Sequence, residues 1–354
     1  MTLGMGLIGA GGIAELHAQH MQEAGMELRG VCDVDIGRAD KLATKYPGCK
    51  KTDSLDELLS DKQIQAVIVA VPNVYHAPTA IAALKAGKDV LLEKPMAMNV
   101  TECDQIITAA MASDRILQMG FVCRCYPCTV AAMNFIRAGR LGHIYHAKAA
   151  FRRRRGIPGL GGWFTTKSMS GGGPLIDLGV HVIDLAWHLA GHPAPERASG
   201  ACYSVFGSPI EKYTYKDMWA GPPRPDGTFD VEDAATGMIR FEDGLTLQVD
   251  AVWAANMPDE VLKDGVMLWG DKGGMYLNHI TGELRFIFED CGHVVEVKPE
   301  YKEFIPWVEQ LKRFRKAVET RETPDASADH GRMVQAMLDA LYESSESGRE
   351  TMVP

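Results

Sequence analysis

The chain has 354 residues, 46% hydrophobic and 23% charged, a globular composition with room for two domains and a sizeable core. A formal charge of −9 makes nucleic acid and anionic membrane surfaces poor partners, and no apolar run reaches the roughly 18 residues a membrane helix needs. Eight scattered cysteines, and a start (MTLGMGLIGAGG) with neither a basic leader nor a cleavage signature, fit reduced thiols and a cytoplasmic protein, not a disulfide framework.

Residues 3–8 read as a short apolar strand, 9–12 as a turn and 14–23 as a helix. Residues 27–33 form a second strand and 38–46 a helix; Ser54-Leu-Asp-Glu57 has capping-box spacing and opens another. The continuous β-rich run 66–71 suits a strand covered on both faces, and the helix 77–86 is closed by Gly87. Strand 89–92, a helix capped at Asn99 and running through Met111, and strand 115–120 complete a βαβ grammar typical of a parallel sheet.

After residue 122 strands dominate, at 144–153, 198–206, 235–241, 245–254, 266–269, 273–277, 284–288 and 294–297, with one helix at 175–189 between the first two. Helices return at 304–320 and 332–345. The expected fold class is therefore α/β: an N-terminal Rossmann-type parallel sheet over 1–122, then an α/β domain over 123–354 built on a large, mostly antiparallel open sheet. The last helices are free to pack back on the first domain. The segment around Cys123, Cys125 and Cys128 reads as strand running into a turn at Pro127, its thiols buried as small apolar groups; a metal knuckle would lack a fourth ligand. The Pro- and Gly-rich loop 213–230 suits a lid or an interface arm.

Gly9-Ala10-Gly11-Gly12-Ile13-Ala14 fits G-x-G-x-x-G/A between a strand and a helix, the context this dinucleotide fingerprint requires. Gly9 permits the sharp turn, Gly11 leaves room for a pyrophosphate, and Gly12 and Ile13 open the helix whose N–H groups face it. Asp33, 19 positions after Ala14 at the end of the next strand, is placed to accept from ribose hydroxyls and to repel a 2′-phosphate, which favours NAD over NADP; Asp35 is the fallback. Arg38 qualifies that preference, since it can stack on adenine or meet a phosphate.

Val71-Pro72-Asn73 and Glu93-Lys94-Pro95 both stand at C-terminal ends of strands, where open α/β sheets bind ligands. In the segment GGGPLIDLGVHVID, Asp177 and His181 are i and i+4 on one helix face, Asp184 is a turn further, and Leu178, Val182, Leu185 and Leu189 form an apolar face. Imidazole titrates near neutral pH, so His181 is the candidate general base, Asp177 its orienting partner and Lys94 the donor to a developing alkoxide; Lys94 and His181 are exchangeable in these roles. The four arginines 152–155 have two readings, a solvated strand edge or a pocket in which Arg153 grips a carboxylate or hydroxyls, with Trp163 and Phe164 stacking on a sugar ring.

Together the glycine turn, Glu93-Lys94-Pro95, residues 171–184 and the closing stretch 336–350 resemble the Gfo/Idh/MocA oxidoreductases, the glucose–fructose oxidoreductase and inositol dehydrogenase group. The resemblance implies Lys94, Asp177 and His181 as the catalytic set, and Pro72, Asn73, His76 and Glu93 at the nicotinamide end of the cofactor site. Arg124, Arg153 and Trp163 join Asp177 and His181 as expected substrate contacts. It implies hydride transfer between NAD and a secondary alcohol of a sugar, glycoside or inositol-like polyol, with no metal ligated. An NAD-dependent glycosidase and a non-catalytic NAD-binding sensor are the alternative readings. A homo-oligomer, dimer or tetramer, covering the open C-terminal sheet is expected.

Overall fold

The structure is a computed structural model describing residues 2–215, 220–258 and 264–354; the elements and absences below are those of the described residues. The chain divides into two compact units, residues 1–125 with 304–333, and residues 126–303 with 334–354.

The first unit alternates strand and helix: β1 (Leu3–Ile8), α1 (Gly12–Met21), β2 (Met26–Cys32), α2 (Ile36–Ala43), β3 (Lys50–Thr52), α3 (Leu55–Ser60), β4 (Ala66–Val69), α4 (His76–Lys85), β5 (Asp89–Leu92), α5 (Val100–Ser113) and β6 (Leu117–Met119). All six strands run parallel in the order β3-β2-β1-β4-β5-β6, the doubly wound arrangement whose strand order reverses beside β1. Every residue of β1, β4 and β5 is buried, as a sheet covered on both faces demands. Ser54 and Asn99 cap α3 and α5 by accepting the N–H groups of Glu57 and Glu102.

The second unit begins with α6 (Pro127–Arg137) and β7 (Ile144–Arg152), then a short α7 (Lys167–Ser170), a π turn (Leu175–Gly179) running into α8 (Val180–Leu189), and β8 (Pro195–Tyr203). The strands β9 (Ala234–Phe241), β10 (Thr246–Val252), β11 (Gly265–Gly270), β12 (Gly273–Asn278), β13 (Glu283–Asp290) and β14 (His293–Val297) follow. Two helices, α9 (Pro306–Thr320) and α10 (Ala328–Ser347), and the short β15 (Thr351–Met352) close the chain. The nine strands pair in the order β14-β13-β12-β11-β7-β10-β9-β8-β15, all antiparallel except β7 with β10. The α/β class and the mostly antiparallel second sheet are as the sequence implies.

Several local expectations are corrected. Residues 122–125 form a 3-10 turn and Pro127 opens α6, where a strand was expected. Pro127 at the first helical position is preorganised for it, but no capping side chain announces it. β3 was unmarked, because two of its three residues are exposed lysines. Arg152 does not sit on a sheet edge: β7, which ends on it, lies between β11 and β10, and Arg153–Arg155 follow the strand. No described helix is long and apolar enough to cross a membrane.

Candidate functional site

The first β-to-α connection is built for close approach. Gly9 has φ +97°, and a Cβ there would stand 2.2 Å from the carbonyl oxygen of Ala70, so only glycine fits. At Gly11 and Gly12, by contrast, a Cβ would meet nothing within 4 Å: open space lies in front of the turn. The N-terminus of α1 has no side-chain cap, so its first N–H groups face that space, and Ala14 is fully buried beneath it. Open room, uncapped donors and a positive helix end fit a dinucleotide pyrophosphate.

Asp33 closes the same loop. Its Oδ2 accepts the Ala10 N–H at 2.7 Å and its Oδ1 the Asp35 N–H at 2.9 Å, each oxygen keeping lone-pair capacity for a ribose hydroxyl. Asp35, the fallback, is instead the N-cap of α2, accepting from Gly37 and Arg38. Arg38 pairs with Asp35 at 3.4 Å, both side chains more than half exposed. Val34, 96% exposed, and the exposed Ile36 flank this acid in sequence; the reading from sequence passed over them, though a bare aliphatic pair suits a purine face.

At the end of β4, Pro72 leads into a 3-10 turn over Asn73–Tyr75, with Asn73 buried. His76 begins α4 and is buried, its Nδ1 2.6 Å from the Pro95 carbonyl and its Nε2 2.9 Å from the Val71 carbonyl. Both ring nitrogens face backbone carbonyls, so His76 ties the chain after β4 to the chain after β5. Burial holds its pKa below the usual imidazole range. Glu93 is also buried; its Oε1 lies 2.8 Å from His17 Nε2 and its Oε2 accepts the Lys94 N–H. Across residues 88–97 every residue is buried except Lys94, which is half-buried, so its neighbours are held in place by packing.

The second unit repeats that pattern. From Leu175 to Leu189 only Asp177 and His181 are accessible; Asp184 and His188 are buried with the apolar residues, so the helix is not two-faced as expected but enclosed with one small opening. The helix starts as a π turn, a geometry with no sequence signature that often marks functional positions. Its start is held by Glu232, whose Oε1 accepts the Leu175 N–H at 3.2 Å and the Tyr342 hydroxyl at 2.8 Å; burial pushes this carboxyl up. Trp253, wholly buried, donates its indole N–H to Asp177 Oδ2 at 3.0 Å. Neither Glu232 nor Trp253 was identified from sequence.

Phe151 lies 6.5 Å from the His181 ring, and the Arg153 guanidinium lies over the same phenyl at 5.4 Å. Arg153 thus shares a neighbour with His181, whereas Arg155 is fastened to Ala255 and Asn256 and stacks over Phe206. Arg152 faces Asp250 at 3.9 Å, and its N–H donates to Asp264. Trp163 and Phe164 stack on each other at 3.8 Å, in a turn where the Thr165 hydroxyl takes the Gly161 N–H and donates to the Thr228 carbonyl. Of the loop 213–230, residues 216–219 lie outside the described residues; its flanks bond to Ile157, Leu160 and Thr165.

Arg124 is 1% exposed, donates to the Asp325 carbonyl at 2.7 Å, contacts His330 and lies over Phe121, all within the first unit, where it clamps the 325–330 segment. Cys123, Cys125 and Cys128 are buried thiols, Cys125 pushed up to about 12 and Cys128 to about 11 by burial.

Comparison with known proteins agrees with this geometry. Residues 3–121 match the model of the Gfo/Idh/MocA oxidoreductase family, NAD-binding Rossmann fold, and residues 129–276 that of the Gfo/Idh/MocA C-terminal domain. The chain is 30% identical to D-glucoside 3-dehydrogenase of Escherichia coli (strain K12), over 98% of this chain and 96% of that one. An oxidoreductase domain protein from Kribbella flavida superposes with a TM-score of 0.86 at 25% identity, over the full length of both chains. Levoglucosan dehydrogenase in complex with NADH and levoglucosan has the same fold, TM-score 0.86 at 23% identity over the full length of both. With a glycine turn that fits a dinucleotide and both domain models in chain order, the protein belongs to the Gfo/Idh/MocA family of NAD-binding oxidoreductases.

Proposed function

We propose that the chain transfers hydride between NAD and a secondary alcohol of a sugar, glycoside or cyclic polyol. The observation that carries this reading is selective exposure: Lys94 alone in the buried run 88–97, and Asp177 and His181 alone in the helix 175–189, keep their side chains accessible. Enclosing thirteen of fifteen residues while opening two titratable ones is a poor solution for packing and a good one for proton transfer. The likeness to D-glucoside 3-dehydrogenase over nearly the whole chain favours a pyranoside or a ring polyol of similar shape.

NAD is bound by residues 1–122, with Gly9, Gly11, Gly12 and Ile13 at the pyrophosphate, Asp33 at the ribose, Arg38 at the adenine end, and Pro72, Asn73 and Lys94 toward the nicotinamide. Residues 123–354 bind the substrate, while 304–333 support the first unit from within. When bound, NAD supplies the hydride acceptor at nicotinamide C4. His181 takes the hydroxyl proton, Asp177 orients the substrate or the imidazole, and Lys94 donates to the oxygen as negative charge develops. Arg153 and Trp163 bind sugar hydroxyls and a ring face.

The second sheet leaves half-exposed Met238, Met267 and Trp269 and exposed Ile287 on one face. A second copy of the chain covers that face, giving a dimer or tetramer; light scattering of the purified protein tests it. Eight free cysteines suit a reducing, cytoplasmic location.

The deciding experiment incubates the protein with excess NAD and a panel of glucosides, aldoses and inositols, and follows near-ultraviolet absorbance of NADH. Continuous NADH formation with at least one of them is expected. Cleavage of a glycoside without net NADH, or no turnover of any panel member by NAD-loaded protein, overturns the reading.

A further inference from the structure

His17 lies on α1, the helix whose N-terminus faces the pyrophosphate space, and is fully buried. Its Nε2 is 2.8 Å from Glu93 Oε1, and the other Glu93 oxygen accepts the Lys94 backbone N–H at 3.2 Å. The carboxylate lies flat on Gly120, where a Cβ would stand 2.9 Å from Glu93 Cδ. Trp307 meets the imidazole edge-on with ring centroids 5.1 Å apart.

A carboxylate accepts and does not donate, so Nε2 carries the proton in this contact. Nδ1 has no partner among the described residues. On the other side of Lys94, His76 holds the Pro95 carbonyl at 2.6 Å. The lysine is thus anchored through both neighbours, and the anchor on its N-terminal side runs to the cofactor helix.

We propose that His17 is a positioning residue of the reaction: acting through Glu93, it sets the backbone position of Lys94 and so couples the seating of the dinucleotide on α1 to the placement of the lysine ammonium. This rests on the reading of Lys94 given above.

His17→Phe keeps the ring and its contact with Trp307 but removes the donor, whereas His17→Gln returns an amide N–H near the Nε2 position. Misplacing a reacting group by about 1 Å costs up to about 100-fold. The expected result for His17→Phe is a kcat lowered by about 10-fold or more, KM for the sugar changed less than about threefold, and most of the loss recovered in His17→Gln. In a Lys94→Ala background, adding His17→Phe changes the residual kcat by less than about twofold, because the group it positions is gone. If His17→Phe does not fold, Glu93→Gln, of equal size, carries the same expectation. Unchanged kcat in folded His17→Phe, or losses that multiply in the Lys94→Ala background, overturns the proposal. Full turnover in Lys94→Ala alone instead overturns the role assigned to Lys94.

Discussion

The indole N–H of Trp253 donates to the carboxylate of Asp177 across 76 residues of sequence, holding one of its oxygens from within the core. An accessible carboxylate with one oxygen fixed presents the other in a defined direction. Trp253→Phe removes the donor and part of the buried volume. We expect kcat/KM to fall about 10-fold with sugar, and stability to fall by roughly 1–3 kcal/mol from the lost bond to a charged group. Steady-state kinetics and urea denaturation measure the two. An unchanged kcat/KM would leave Asp177 without the orienting part given to it.

His181→Asn and Lys94→Ala remove the proposed proton acceptor and the proposed alkoxide donor. Each is expected to lower kcat by about 10²–10⁴-fold while NAD still raises the melting temperature as it does for the wild type. If both variants turn over normally with cofactor bound, the chemistry lies elsewhere.

Because Asp33 clasps the glycine turn through Ala10 as well as being the proposed ribose acceptor, exchanging it is expected to do more than relax selectivity. Asp33→Ser is expected to weaken NAD binding by about 10-fold or more without conferring tight NADP binding, since the turn that carries the shared pyrophosphate loses its tie. Calorimetric titration with both nucleotides checks this; a clean switch to NADP would show that the clasp is dispensable.

His279 is 3% exposed, with Nδ1 unpartnered among the described residues, and burial lowers its pKa to about 4. The folded value lies below the unfolded one near 6.5. The unfolded chain therefore binds the proton first as pH falls, and stability drops between about pH 6.5 and 4, by roughly 3 kcal/mol in all. His76, lowered for the same reason, adds in the same direction. Chemical denaturation at pH 7.5 and 5 is expected to show this slope, and His279→Phe to flatten it; an equal slope in that variant would assign the acid sensitivity to other groups.

The nucleotide turn, Lys94 and the Asp177–His181 pair were legible because each is a local signal: a glycine pattern after an apolar run, a lysine before proline at a strand end, an i, i+4 pair. The supports were not. Glu232 reaches Leu175 from 57 residues away, and Trp253 reads as one more aromatic at the end of a strand. The π turn has no periodicity of its own to reveal it. The clamp that Arg124 makes on the 325–330 segment was equally hidden, because its partners lie 201 and 206 residues further along the chain. Helix α6 was lost because Tyr126 offers no cap and Cys128-Thr129-Val130 has strand character.

Helix α9 also bears on how the molecule is made. Val308, Leu311, Phe314 and Ala317 belong to the same buried cluster as Leu3, Met5, Ala14 and Met21. A nascent chain thus exposes the apolar flank of its first β-α unit until the ribosome has passed residue 317, although all six strands of the sheet were synthesised by residue 119. Large buried side chains contribute about 1.5–3 kcal/mol each, so the interim state lacks several kcal/mol and carries a sticky surface. A fragment ending at residue 125 lacks the 304–333 segment of its own unit, and is expected to be less stable and less soluble than the whole chain.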